Sequence, residues 1–166
     1  MSQQDYTATI TVDRSTRETF AAVTDVRGWW SEEIEGRTEE PGDVFVFEVP
    51  GVHRCTVTLS EVVPGEKVVW QVSDSHLGFV HDETEWDGTE VVFEVSAKDG
   101  GSEVRFTHVG LVPAQECFDV CSDGWGSYLT GSLRSLITTG IGDPYRAGGT
   151  LETEMLKHRI NAVRAA

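Results

Sequence analysis

The 166-residue chain carries 28 acidic against 13 basic side chains, a formal net charge of −15, with 39% apolar residues and 17 glycines. That length suits one domain and buries roughly 70% of the unfolded chain's surface, and the composition is that of a turn-rich globular protein, not a disordered one. The charge excludes nucleic acid and anionic membrane surfaces as partners, because both are polyanions, while it would draw in a basic protein face.

From Tyr6 to Asp13 apolar residues alternate with threonines, which predicts a strand with one buried face. Ser15 opens S-T-R-E, a capping box with Glu18, and a short helix bearing Phe20, Ala21 and Val23 should end near Asp25. Val26 to Trp30 reads as a tight helical turn with two indoles. Strand patterns follow. Phe45, Phe47 and Val49 share one face, as do His53, Cys55, Val57 and Leu59. Pro64-Gly65-Glu66 turns the chain, and Val68, Trp70 and Val72 return. Ser73 to Glu85 reads as a polar loop, and Trp86-Asp87-Gly88-Thr89 leads into Val91, Phe93, Val95 and Ala97. Asp99-Gly100-Gly101 is a hairpin signal, after which come Val104, Phe106 and His108. Successive strands with short turns predict an antiparallel meander.

After Pro113 the period changes. Phe118, Cys121, Trp125, Tyr128, Leu129, Ser132, Leu133 and Leu136 recur every three or four residues, one face of a long amphipathic helix. Pro113 and Ala114 suit its first turn, and Gly140 its C-terminal cap. Gly124 and Gly126 inside it each cost about 1 kcal/mol relative to Ala, which predicts a close approach by backbone or ligand there. Beyond Ile141 a Gly-rich loop leads to a further helix from about Leu151, its Leu156, Ile160 and Val163 stripe packing on the domain or on another subunit. The expected organisation is therefore one domain over residues 1–140 and an extension over 141–166.

Cys55, Cys117 and Cys121 are an odd set without framework spacing. The N-terminus lacks a basic stretch followed by an apolar run, and no apolar run nears the ~20 residues that span a bilayer. These features predict a cytoplasmic protein with free thiols packed as small hydrophobes. Cys117 and Cys121 lie at i and i+4, and His76, His81, Asp82, Glu83 and Glu85 cluster in the polar loop. Neither set is completed into a metal site, so no metal or cofactor is expected. G-x-S-x-G, a phosphate-cradling Gly loop and H-E-x-x-H are all missing, so no catalytic residue is assigned.

The order of elements, with Ile10-Thr11-Val12-Asp13, Ser15 to Val23, Trp29-Trp30, Trp86 to Val91 and Gly124-Trp125-Gly126-Ser127-Tyr128-Leu129, resembles the START/Bet v 1-like (SRPBCC) helix-grip superfamily. Within it the chain is most similar to the branch named after the activator of the ninety-kilodalton heat-shock chaperone's ATPase, over roughly residues 5 to 140. The resemblance implies an α+β fold, a curved antiparallel sheet gripping the C-terminal helix, with a cavity between them. It also implies binding of lipids, polyketides or other apolar molecules. Some members are cyclases or aromatases, and the chaperone-activating members bind a protein.

A sheet bent round one helix tends to leave space on its concave side. Strand parity and helix phase point Phe45, Phe47, Cys55, Val57, Trp70, Val72, Phe93, Phe106 and His108 toward that space from the sheet. Cys121, Trp125, Tyr128 and Leu129 point to it from the helix, and the resemblance puts Trp29 and Trp30 near its mouth, Trp30 as a ligand contact. Tyr128, His108 and His53 are the polar anchors available. Each of these side chains also reads as core packing, and His108 as a hydrogen-bonded core histidine. The function expected is binding of a hydrophobic small molecule by a monomer or homodimer. The alternatives are a co-chaperone-like protein-interaction domain with an acidic surface, or a cyclase-like enzyme.

Overall fold

The computed structural model describes residues 4–146. The expected helix from about Leu151 lies outside them. Within them a seven-stranded antiparallel sheet, curved and unclosed, packs against a C-terminal helix of 22 residues.

The strand order is β1-β7-β6-β5-β4-β3-β2, so a six-stranded meander returns to the first strand. β1 (Tyr6–Val12) buries Ile10 and Val12 and pairs with β7 (Gly101–Val109). Between β1 and the meander, α1 (Thr16–Thr24) begins where the Ser15 hydroxyl accepts the Glu18 N–H at 3.1 Å. It stops at Asp25, and α2 (Val26–Trp29) follows at once. The two-residue strand β2 (Glu35–Gly36) pairs with β3 (Val44–Val49). It is too short for any alternation to show in the sequence.

β4 (His53–Val63) and β5 (Lys67–Leu77) form the longest hairpin. Its turn is made at Gly65, at φ +79°. Register shifts at Arg54/Thr56 and Leu59/Glu61 mark irregularities that bend this part of the sheet. β5 runs on through Ser73 to Leu77, where a loop was expected. Asp is a poor strand former, and the alternation breaks where Ser73 and Asp74 are both exposed and Asp74 turns left-handed at φ +46°. Asp87 holds this end in place by accepting both the N–H and the hydroxyl of Ser75, each at 2.7 Å. β6 (Glu90–Lys98) joins β7 through Asp99 and Gly100, both left-handed at φ +49° and +83°, a pair of conformations that matches the twist of a two-residue hairpin.

The long helix starts at Phe118 rather than at Pro113. Pro113 and Ala114 lie in turns, because the Glu85 carboxylate takes the backbone N–H groups of Glu116 and Cys117 at 2.9 and 3.0 Å and fixes the start there. The helix runs as α3 (Phe118–Ser127), a π-helical turn (Tyr128–Leu133) and α4 (Arg134–Thr139). The wider turn brings Leu129, Ser132 and Leu133 all into the buried face, and the Ser132 hydroxyl donates to the Trp29 carbonyl at 2.7 Å. Gly140, left-handed at φ +84°, ends the helix as its position predicts.

After that cap the chain returns across the short helices. Gly142 passes so close to the Gly28 carbonyl that no side chain fits between them. Tyr145 forms a parallel bridge with Ser31, donating its N–H to Trp30 and accepting from Glu32, both at 2.9 Å. Its ring is buried in the core. Among the described residues no helix is long and apolar enough to cross a membrane.

Candidate functional site

The concave side of the sheet is filled largely by its own aromatic rings. Trp70 stacks on Trp29 and Trp30 at centroid distances of 6.3 and 5.5 Å and meets Phe45 and Phe93 edge-on at 5.3 and 4.9 Å. Phe106 closes the row against Phe93 at 5.2 Å. A cavity of about 60 Å³ stays open at one end of the layer, near the start of the long helix. A water needs roughly 10–15 Å³ on the same measure, and drug-sized ligands occupy roughly 300–1,000 Å³. The hollow is a small, partly open pocket.

Five of the expected site residues line this pocket: Phe47, Cys121, Trp125 and Tyr128 from strand parity and helix phase, and Trp30 from the resemblance. The other nine, Phe45, Cys55, Val57, Trp70, Val72, Phe93, Phe106, His108 and Leu129, lie buried in the core beside it. Parity assigned the correct face of each strand. It could not tell a ring that fills the concavity from one that borders the remaining gap.

The pocket wall has further members. Val49 and Val52 border the β3–β4 turn, and His53 opens β4. Phe79 and Trp86 come from the segment after β5, and Val120 and Gly124 flank the expected helix stripe. An apolar ring amid the polar residues after Leu77 was the available signal for Phe79, and Trp86 stood out only as part of a turn motif. Gly124 is in the wall, where a Cβ would meet open space, whereas a Cβ on Gly126 would stand an ordinary 3.7 Å from the Tyr6 hydroxyl. No backbone closes on either glycine, so of the two causes expected for them, backbone or ligand, the backbone is not the one.

His108 is committed to the core. The Trp125 indole N–H donates to its Nδ1 at 3.0 Å, which leaves Nε2 to carry the proton and donate to the Thr89 hydroxyl at 2.9 Å. Thr89 in turn donates to the Trp86 carbonyl at 2.6 Å. This chain ties the long helix to β7 and to the segment before β6. Burial, reinforced by nearby His53, pushes the His108 pKa down to about 3, so the ring is neutral.

His53 differs. Its ring is edge-on to Trp86 at 4.4 Å and to Phe47 at 5.1 Å, and its Nε2 is buried without a hydrogen-bond partner. Burial pushes its pKa down to about 3 as well. Trp86 is also buried, and its indole N–H has no partner. The nearby indole favours the Cys121 thiolate, but burial and Cys117 outweigh it. Burial, followed by a hydrogen bond with Cys117, raises the Cys121 thiol far more, and burial pushes Cys55 up to about 12. All three cysteines are free and buried.

The segment carrying Phe79 and Trp86 is fastened to the helix from outside. Besides the two Glu85 bonds, the Glu116 carboxylate accepts from the backbone N–H groups of His81 and Asp82 at 3.1 and 3.2 Å and contacts His81 Nδ1 at 3.0 Å. These bonds hold the Glu116 carboxyl below its ordinary pKa. His76 is on β5, opposite Arg54. Among the described residues no three His, Cys, Asp or Glu side chains are grouped to hold a metal ion.

The solution structure of the Aha1 dimer from Colwellia psychrerythraea superposes with a TM-score of 0.68 at 22% identity, covering 84% of this chain and 99% of that one. CalU16 from Micromonospora echinospora matches over 100% of both chains at 12% identity and a TM-score of 0.56. A Bacillus halodurans protein, BH1534, matches 78% of this chain and 94% of its own at 14% identity and a TM-score of 0.58. These likenesses carry the fold. No curated protein matches the chain. The family model described as activator of Hsp90 ATPase homolog 1-like protein matches residues 13–138, and the chain belongs to that family, within the SRPBCC superfamily.

Proposed function

We propose that the chain binds a small apolar or aromatic molecule in the pocket between the sheet and the start of the long helix, acting in the cytoplasm as a monomer or homodimer. The observation that carries this reading is a partly open pocket walled mostly by aromatic and aliphatic side chains, with two buried polar atoms in its lining residues left without partners. Buried polar groups are nearly always satisfied, so two at one site favour a ligand that supplies the missing bonds. The pocket admits a small ring or part of a larger molecule. Native mass spectrometry of freshly purified protein would reveal a retained compound, and that compound should raise the melting temperature. Trp125→Ala should abolish the rise; an unchanged response would remove the pocket from consideration.

A second reading draws support from the filled concavity and the charge of −15. A co-chaperone-like domain would use its acidic exterior to hold a basic protein face. Such an association weakens steeply with salt and leaves the pocket uninvolved. A cyclase-like reaction has less support, because both nitrogens of His108 are occupied.

A further inference from the structure

The polar atoms of the pocket say which apolar molecule suits it, an inference that rests on the small-molecule reading above. None of the lining side chains carries a formal charge once His53 is neutral. A carboxylate or an ammonium group entering this wall would lose its hydration without gaining a counter-ion. The aromatic walls alone would tolerate a cation through the faces of their rings. A cation, however, would leave the Trp86 N–H without an acceptor. Trp125 has already spent its N–H on His108, whereas the buried Trp86 N–H has no partner.

Trp86 Nε1 can only donate, while His53 Nε2 donates in one tautomer and accepts in the other. The two rings touch edge to face, with centroids 4.4 Å apart, so both unpartnered nitrogens belong to neighbouring side chains of one pocket wall. A hydroxyl oxygen has lone pairs for the indole N–H and a proton for a bare Nε2; if Nε2 is protonated, a second lone pair receives it. It therefore satisfies either tautomer. The remaining wall, Trp30, Phe47, Trp125 and Tyr128, offers ring faces and edges to a flat apolar body. We infer that the pocket selects uncharged, hydroxyl-bearing aromatic rings, with the hydroxyl turned to the Trp86–His53 wall and the ring against Trp30 and Trp125.

The test is a titration of the full chain with four probes of similar size: phenol, toluene, benzoate and tetramethylammonium. The readouts are affinity by calorimetry and the indole N–H resonance of Trp86 by ¹⁵N-edited NMR, identified as the signal missing in Trp86→Phe. Phenol should bind about tenfold tighter than toluene, as expected for a hydrogen-bonded group against its isostere. It should shift the Trp86 N–H signal downfield where toluene does not. Trp86→Phe and His53→Phe should each erase the preference for phenol over toluene. The shift in the unaltered protein stands even if a variant folds poorly. Equal affinity for phenol and toluene, with the Trp86 signal unmoved, overturns the hydroxyl selection but leaves a small-molecule pocket. Tightest binding of benzoate or tetramethylammonium overturns the selection of an uncharged ring. If none of the four binds at millimolar concentration, both this inference and the reading beneath it fall.

Discussion

Replacing Gly124 with alanine should stabilise this protein, against the usual outcome of changing a buried-face residue in a core helix. Gly124 sits inside α3, and a Cβ built there meets nothing within 4 Å. The methyl therefore costs no contact, while alanine is favoured over glycine in a helix interior by about 0.8–1.0 kcal/mol. Lower entropy of the unfolded chain is part of that same figure and is not added again. A gain of about 1 kcal/mol corresponds to a rise of about 2–4 °C in Tm for a chain of this size. The check is thermal and urea denaturation of both proteins, with an unchanged m-value showing that the folded state keeps its compactness. The added methyl also narrows the pocket, so ligand affinity should fall while stability rises. Gly142→Ala is the contrasting control: its Cβ would run into the Gly28 carbonyl, backbone that cannot swing aside, and this variant should lose stability. If Gly124→Ala lowered the Tm, the space assigned beside that residue would not exist.

His108→Phe should cost about 1–3 kcal/mol in urea unfolding, because it strands the Trp125 N–H that the imidazole accepts. Acid should destabilise the fold through both buried histidines. Above about pH 6.5 they are neutral folded or unfolded. Below it the unfolded chain takes up protons that the folded rings, with pKa pushed down to about 3, refuse. Stability is thus lost from about pH 6.5 toward pH 3, by up to about 1.4 kcal/mol per pH unit for each histidine. His53→Phe should flatten that limb; an identical slope would show that His53 titrates normally. Glu85→Ala should speed hydrogen exchange at the Glu116 and Cys117 amides, which the carboxylate now holds, while the β6–β7 amides keep their protection. The three thiols should resist a thiol-directed disulfide reagent at pH 8 until denaturant is added. Prompt labelling of Cys121 would contradict its buried, protonated state.

Much of the fold was readable from local pattern, because each element is specified by short-range chemistry. Ser15 and Glu18 cap α1, Asp99-Gly100 supplies the two left-handed residues of the hairpin, and Gly140 ends the long helix. The errors arose where distant groups override local preference. Ser73 to Leu77 extends as strand because Asp87 satisfies Ser75, and the long helix starts late because Glu85 reaches its first amides. The pocket was less legible than the sheet. Period-two alternation identifies the concave face, but whether Trp70 or Phe93 fills that concavity depends on ring-to-ring geometry across α2, β5 and β6. Trp86 and Phe79 belong to a connection whose path is set by tertiary bonds. His108 was recognisable as a core histidine, yet its partners Trp125 and Thr89 are 17 and 19 residues away and meet it only in the folded chain.

The return of the chain after Gly140 decides where this protein can be cut. Stopping expression at the helix cap would leave the backbone of Trp30 and Glu32 without the hydrogen bonds it now makes to Tyr145, and would uncover apolar area beneath that phenol. Trp30 is also a wall of the pocket, so such a shortened version would be judged poor at binding for a reason unrelated to its ligand. Fusion partners and affinity tags belong beyond Arg146.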